Sequence, residues 1–468
     1  MKLPDHGRHD LAPDLEQPDV LVIGGGVAGL FAAYHLRLAG AAVTVVERGP
    51  VGGPQSCSSG NTGFVGTQGA APLAEPGVLT QGLRWLGDKE SPFYIKPRLD
   101  GGLVRWLWHF SRACNDRDFA AGFAVLLEMK QRSLEILRAV CARGDLAPTL
   151  VSDGMVVAFK SPEAFAKACR AVPRAVAGGV PLRILDAAAL RALEPDAEFD
   201  IRGALFNADG AYLRVPEFIV GFAAELERMG VRICAGTEVT GFQLAGRRIQ
   251  RVRTTMGECR PGETVIAAGS WSTACARQLD VGLLLQPAKG YAVTVSAPPG
   301  APRLPVLLSE GKVAVVPLGG RLRLGGTLEL TGMDPEISQR RVSGMLRTVG
   351  AYLPGLGDLT TIDTWSGLRP CSPDSLPFIG RAEPYQNLLI ATGHGYIGMG
   401  LAPAGGRLVA QIAAGEKPDL DPAPFAVGRF SGRARRQAGR RNLPGPRQPA
   451  AAGPAWIAPS GHGGSAGR

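Results

Sequence analysis

The sequence predicts a mixed α/β fold (α+β mixed), a Rossmann-like domain interleaved with a second domain built on antiparallel sheet. Three observations carry this expectation. In VLVIGGGVAGL, Val20 to Leu30, three glycines sit between an apolar run and a helix-forming run. A Val-rich run, Val43 to Val46, follows and ends on Glu47, which closes a β-α-β unit. Residues 286–330 alternate like antiparallel strands, with GGRLRLGGT as a hairpin.

Taken in order, residues 20–23 read as a short buried strand, Val27 to Leu38 as a helix and Val43 to Val46 as the second strand. A loop of small residues runs from Gly52 to Gly69. Residues 83–112 are rich in aromatics, among them Trp85, Phe93, Tyr94, Trp106, Trp108 and Phe110. Phe123, Leu126, Leu127, Leu134, Leu137 and Cys141 fall at helical spacing, which predicts an amphipathic helix over roughly 118–142. Short strands are expected over 145–205, with a helix from Pro162 to Val172. Pro216 to Met229 reads as a helix with Pro in its first turn and Gly230 after its end. Val231–Ala235, Thr264–Ala268 and 387–391 read as strands, and a final helix is expected from Gly405 to Ala413.

Composition narrows the class. The chain has 468 residues, enough for roughly two or three domains. Its formal charge of +10 invites a nucleic-acid reading, but residues 431–468 hold seven Arg and no Asp or Glu. That tail is expected to be disordered, since 13 of its 38 residues are Gly or Pro and it shows no apolar periodicity. It carries Trp456 alone among aromatics, so no specific nucleic-acid partner is expected. The first 18 residues mix both charges and lack an apolar core, so no secretory signal is expected. Eight cysteines without a Cys-x-x-Cys pair argue against a metal site and a disulfide framework, and fit a reducing cytoplasm.

Gly24, Gly26 and Gly29 form G-x-G-x-x-G between strand and helix. The first permits a tight turn, the second close approach to a pyrophosphate, the third close helix–strand packing. The anion sits on a helix N-terminus, where free N–H groups and the dipole favour it. Glu47, 18 residues past Gly29, suits a ribose diol and disfavours a 2′-phosphate. The regular β-α alternation of an NAD domain does not continue, and no second G-x-G-x-x-G occurs mid-chain. The cofactor is therefore expected to be FAD, with electrons drawn from the substrate itself.

Several stretches then resemble one family. GGGVAGLFAAYHLRLAG with Glu47, SSGNTG (Ser58–Gly63), AEPGVLTQGLRWLGDKESPFYIKP (Ala74–Pro97), VIAAGSWS (Val265–Ser272), PAKGY (Pro287–Tyr291), RLGGTLE (Arg323–Glu329), WSGLRPCSPDSLPFIG (Trp365–Gly380) and NLLIATGHGYIGMGLAPAGGRLVAQIAAG (Asn387–Gly415) are similar to the D-amino-acid oxidase superfamily, most closely its bacterial D-amino-acid dehydrogenases. The resemblance spans roughly residues 19–430. It implies oxidative deamination of a D-amino acid to a 2-oxo acid and ammonia, with hydride passing from Cα to flavin N5 and electrons on to a quinone or other acceptor. D-hydroxyproline or D-proline dehydrogenation, and glycine or sarcosine oxidation, are the alternatives on the same scaffold. A non-catalytic FAD-binding or nucleic-acid-binding protein is the alternative of another class. DGAYLRVPEF (Asp209–Phe218) and GYIGMG depart from the commonest pattern.

The resemblance also assigns residues. Cofactor contacts are expected from Val22, Gly24, Gly26, Val27, Ala28, Gly29, Glu47, Arg48, Ser58, Ser59, Asn61, Gly63, Val239, Ala268, Gly269, Trp271, Gly367, Gly393, His394, Gly395 and Gly398. Arg369 is the expected carboxylate clamp, because a guanidinium suits bidentate carboxylate binding; a structural ion pair is the alternative. Tyr291 and Tyr396 are expected beside substrate and flavin, or else packed in sheet and core. Cys371 is offset from the position at which some relatives carry flavin covalently, so non-covalent FAD is expected.

The expected division is an N-terminal extension 1–18, FAD-binding parts at 19–80, 203–275 and 361–430, substrate parts at 81–202 and 276–360, and the tail. A cytoplasmic location is expected, with peripheral contact to the inner membrane face open through the aromatic stretch 83–110.

Overall fold

The structure, a computed structural model, describes residues 17–67, 69–85 and 93–431. The N-terminal extension and the basic tail lie, but for 17, 18 and 431, outside the described residues.

Val20–Ile23, Val27–Leu38 and Val43–Glu47 fold as strand, helix and strand. The first strand is buried at every position because it lies mid-sheet with a partner on each side. Val22 pairs with Val45 and with Val265, parallel in both cases. Six strands make this sheet, in the order 378–381, 388–392, 263–266, 20–23, 43–47, 232–235. Only the edge pair Phe378–Arg381 and Leu388–Thr392 is antiparallel. A parallel sheet needs cover on both faces. One face packs Leu30 and Phe31 against Leu126, Phe218, Phe222 and Leu408 from three other helices. The other packs Leu21 and Ile23 against Ile249 and Val252 of a three-stranded antiparallel sheet.

The long helix runs Asp116–Cys141 and starts at Asn115, whose side chain accepts from the Asp118 N–H. Its apolar stripe, Leu126, Met129, Leu134 and Leu137, belongs to the core of the six-stranded sheet. The expected substrate part 81–202 includes this helix, whose apolar stripe packs toward the six-stranded sheet. The helix at Pro162 runs on to Ala177 with Pro173 inside it, at the cost of one ladder hydrogen bond. The last helix begins at Gly398 rather than Gly405 and ends at Ala414. Its first turns, GMGLAPAG, offer no apolar period to read, and Pro403 sits within them. There the Ala404 N–H donates to Ser133 Oγ at 3.1 Å.

A second sheet has nine strands, in the order 361–371, 286–296, 321–330, 313–317, 306–308, 155–159, 203–207, 182–185, with Phe93–Ile95 beside the 321–330 strand. It is antiparallel except where 306–308 meets 155–159 and where 93–95 meets 321–330. The hairpin turns at Gly319 and Gly320, both at positive φ. Strands Gly203–Asn207 and Thr361–Cys371 belong to this sheet, so the expected boundaries at 203 and 361 each cut a strand from its partners. Period-two alternation sends Tyr291, Val293 and Val295 to one face, in a core with Leu324, Met345 and Val349. The opposite face meets the loop 56–63, because Thr62 packs on Gly325 and Arg323 donates to the Ser59 carbonyl at 2.9 Å. The two sheets thus close on each other through that loop.

Candidate active site

A cleft of about 1340 Å³, counting the part open to solvent, runs along the C-terminal ends of the parallel strands. Its place, at strand ends in an open α/β sheet, is where such folds bind ligands.

The fingerprint glycines each have a geometric reason. Gly24 turns with φ +114, and a Cβ on it would lie 2.6 Å from the Ala267 carbonyl oxygen. A Cβ on Gly29 would lie 1.9 Å from the Gly24 carbonyl oxygen, so helix and strand touch only because it has none. Gly26 differs: a Cβ there would meet only Ser58 Oγ, at 3.4 Å, and otherwise the cleft. This is a cradle that a side chain would fill, and it fits a pyrophosphate. Glu47 lines the cleft with its carboxylate accepting from the Gly25 N–H at 2.7 Å and the Gly49 N–H at 3.1 Å. Arg48 stacks over the Trp271 ring at 4.3 Å and closes that end.

At the other end the loop 56–63 and the turn 394–398 meet. Ser58 Oγ accepts from the Val27 N–H at 3.0 Å and ties the loop to the fingerprint helix. Asn61 donates to the Tyr396 carbonyl at 3.3 Å and accepts from the Gly63 N–H at 2.7 Å. Tyr396 donates to the Ala71 carbonyl at 3.0 Å, and burial pushes its phenol above the usual range, so it stays protonated. His394 lines the cleft but is buried, and burial lowers its imidazole to about 4. It is neutral near pH 7.

Arg369 does not itself line the cleft, although its neighbours Leu368 and Pro370 do. It shares a strand face with Gly367 and Trp365. Its guanidinium lies over Gly290, where a Cβ would come within 2.2 Å of it, and donates to the Thr327 carbonyl at 2.6 Å. Thr327 is held at φ +62, which turns that carbonyl. The Arg369 charge acts on Cys57, Cys371 and Tyr396, three groups bordering the Gly395 end of the cleft. Burial raises the thiols of Cys57 to about 11 and Cys371 to about 12, with Arg369 opposing it, so both stay protonated.

Tyr291 requires a correction. It is 1% exposed and points into the core behind the sheet. With Gly290 on the Arg369 face, strand alternation puts Tyr291 on the other. Its hydroxyl accepts from the Ser338 N–H at 3.4 Å, beside an ion cluster of Lys289, Glu329 and Arg341. Lys289 and Glu329 are thus buried partners.

Of the other expected cofactor residues, Gly24, Gly26, Val27, Ala28, Glu47, Arg48, Ser58, Asn61, Val239, Ala268, Gly269, Trp271, His394, Gly395 and Gly398 line the cleft. The remaining ones support it from behind. Val22 is a mid-sheet strand residue packed against Gly29. Gly63 abuts the Leu213 backbone, Gly393 abuts Phe378, and Gly367 receives the Trp365 ring, as does Gly60. Ser59 takes part through its carbonyl. Sequence reasoning missed Gln55, Thr237, Glu238 and Gln278 in the cleft wall, and Thr327 beside Arg369. Only Thr237 and Glu238 carried a signal, as polar residues directly after the strand Arg232–Ala235. Among the described residues no cluster of three or more His, Cys, Asp or Glu could hold a metal ion, and no helix is long and apolar enough to cross a membrane.

Comparison with known proteins agrees with this geometry. The family described as FAD dependent oxidoreductase (DAO) matches residues 19–412. A D-amino acid dehydrogenase of Cereibacter sphaeroides is 33% identical over 422 residues, covering 89% of this chain and 96% of the relative. One of Granulibacter bethesdensis is 32% identical, covering 88% of this chain and all of the relative. Among solved structures, glycine oxidase from Geobacillus kaustophilus superposes with a TM-score of 0.71 at 22% identity, over 88% of this chain and 99% of that one. L-proline dehydrogenase from P. horikoshii superposes with a TM-score of 0.67 at 20% identity, over 89% and 97%. Fold, glycine cradle and sequence agree: the chain belongs to the DAO family of FAD-dependent oxidoreductases.

Proposed function

We propose that this flavoenzyme is a D-amino-acid dehydrogenase. A D-amino acid loses its Cα hydrogen with two electrons, as hydride, and one proton from the amine nitrogen, and the Cα–N bond becomes the C=N bond of an imine. Water converts the imine to a 2-oxo acid and ammonia, and the electrons leave to a quinone or another acceptor. FAD, held non-covalently, supplies the two-electron acceptor. The fingerprint glycines and the N-terminus of the Val27 helix would hold its pyrophosphate, and Glu47 its ribose diol.

The observation that carries the reading is the setting of Arg369. A guanidinium stands over a glycine, fixed on one side by the Thr327 carbonyl, and acts electrostatically on Tyr396 and Cys57 at the Gly395 end of the cleft. Its remaining donors can take a carboxylate as a fork. Tyr396, protonated and tied to Ala71, orients the substrate without exchanging a proton. His394 is buried with its ring packed near Gly405, and burial lowers its imidazole to about 4, which makes it a weak base.

The names of the relatives favour D-amino acids over glycine or proline. The departure at Asp209–Phe218 does not weigh against this. The Ala211 carbonyl accepts from the Val65 N–H and the Leu213 N–H donates to the Gly63 carbonyl, so that segment backs the loop. The test is product analysis with a quinone analogue. One 2-oxo acid and one ammonia per D-amino acid, with none from the L-enantiomer, is the expected result. Turnover of glycine or sarcosine alone would replace the substrate class.

Contact with an anionic membrane surface belongs to the same proposal. The helix Gly101–Ala113 exposes Val104 and Trp108 with Arg105 and Arg112, and Leu99 stands exposed before it. Arg105 donates to the Phe430 carbonyl at 2.9 Å, so the segment that precedes the seven-Arg stretch in sequence reaches that face. Co-sedimentation with phosphatidylglycerol vesicles is expected for the full chain and lost on truncation after Ser431, with turnover kept. Equal sedimentation of both would refute it.

A further inference from the structure

Lys130 lies on the helix Asp116–Cys141 and is 0% exposed. Its Nζ has no hydrogen-bond partner among the described residues. A stranded amine in an interior is costly. Burial alone lowers it to about 7, with no carboxylate opposing the shift. The amine abuts the first turn of the helix Gly398–Ala414: a Cβ on Gly400 would lie 2.8 Å from Nζ. Gly398 and Met399 of that same turn line the cleft. One turn further along the Lys130 helix, Ser133 holds the Ala404 N–H, which fixes the two helices against each other.

This arrangement is electrostatically unfavourable as it stands. A helix N-terminus carries a partial positive charge, and an ammonium beside it is repelled. The two sources become an asset only when negative charge stands at that end of the cleft. A charge that develops there during turnover meets a preorganised positive field.

We propose that Lys130 is a positioning residue for charge: acting with the N-terminus of the Gly398 helix from behind the cleft wall, it favours the anionic, reduced form of the bound flavin over the oxidised form. The inference rests on FAD binding and not on the identity of the substrate.

The test uses the FAD-loaded enzyme without any amino acid. Wild type, Lys130→Met and Gly400→Ala are compared for FAD content, midpoint potential against equilibrating dyes, and affinity for sulfite, an anion that adds to oxidised flavin. Compared at pH 6, where the Lys130 amine carries its charge, Lys130→Met should load FAD, show a lower potential, and bind sulfite about tenfold more weakly, the scale of one charge acting through protein of effective dielectric about 20. Gly400→Ala, which displaces the amine from the turn, should shift both readings the same way. A Lys130→Met enzyme with wild-type potential and sulfite affinity and a raised melting temperature would make Lys130 a structural oddity and overturn the proposal. If that variant does not fold, unchanged readings in Gly400→Ala overturn it equally. Since no amino acid enters, an enzyme that oxidises no D-amino acid leaves this test intact.

Discussion

Replacing Arg369 with Met removes the guanidinium for which Gly290 makes room. The size of the effect follows from its setting. One nitrogen already donates to the Thr327 carbonyl at 2.6 Å, which fixes the plane and leaves a fork for a carboxylate. Two hydrogen bonds to a charged group, at about 1.5 kcal/mol each, total about 3 kcal/mol. That is about a 100-fold loss, at 1.4 kcal/mol per tenfold. Anaerobic stopped-flow reduction of the flavin by a D-amino acid reads it directly as the second-order rate constant. Arg369→Lys keeps the charge without the fork and should recover only part of the loss. FAD content should stay at the wild-type level in both, since Arg369 does not line the cleft. A Met variant reduced within threefold of wild type would refute the carboxylate assignment.

Other expectations follow from the same geometry. Gly29→Ala puts a Cβ 1.9 Å from the Gly24 carbonyl, so helix and strand must part, and the protein should purify with little FAD while retaining its far-ultraviolet circular dichroism. Tyr291→Phe should leave the flavin reduction rate unchanged within twofold and lower stability by about 1 kcal/mol, read by urea denaturation, because its hydroxyl faces Ser338 behind the sheet. Burial lowers the imidazoles of both His35 and His394 to about 4. A lowered folded value means the unfolded chain binds the proton first, so this stability is complete above about pH 6.5 and is lost as pH falls toward 4. Between pH 7 and 5 each histidine should cost about 2 kcal/mol, and thermal melts of His394→Gln should show a weaker acid dependence than wild type.

The sequence made some features plain and hid others for physical reasons. The β-α-β unit was legible because a parallel strand is apolar throughout and because glycines are required where Gly24 turns and Gly29 touches. In the cleft wall Glu47, Arg48 and Ser58 were legible through the same motif and its loop, while Gln55 between them was not. Tyr291 was misplaced because PAKGY read as a motif ignores alternation: once Arg369 claims the Gly290 face, the next residue must face away. The start of the last helix was missed because Gly, Ala and Pro carry no periodic signal, although tertiary packing on the Asp116 helix suffices to hold it. What the Asp116 helix packs on was not legible, since an apolar stripe states that a face is buried and not against what. Lys130 gave no signal at all: the lysine of MKQRS, like Arg132 two residues on, looks like a solvated helix position until Gly400 is seen against it.

The central claim is that a D-amino acid delivers electrons to FAD in this cleft. An anaerobic absorption spectrum of the purified protein, before and after addition of D-amino acids, D-hydroxyproline, glycine and sarcosine in turn, tests it most directly. The expected result is a yellow protein whose flavin band bleaches with a D-amino acid and returns quickly with a quinone analogue and slowly in air. A flavin that no D-amino acid bleaches would contradict it.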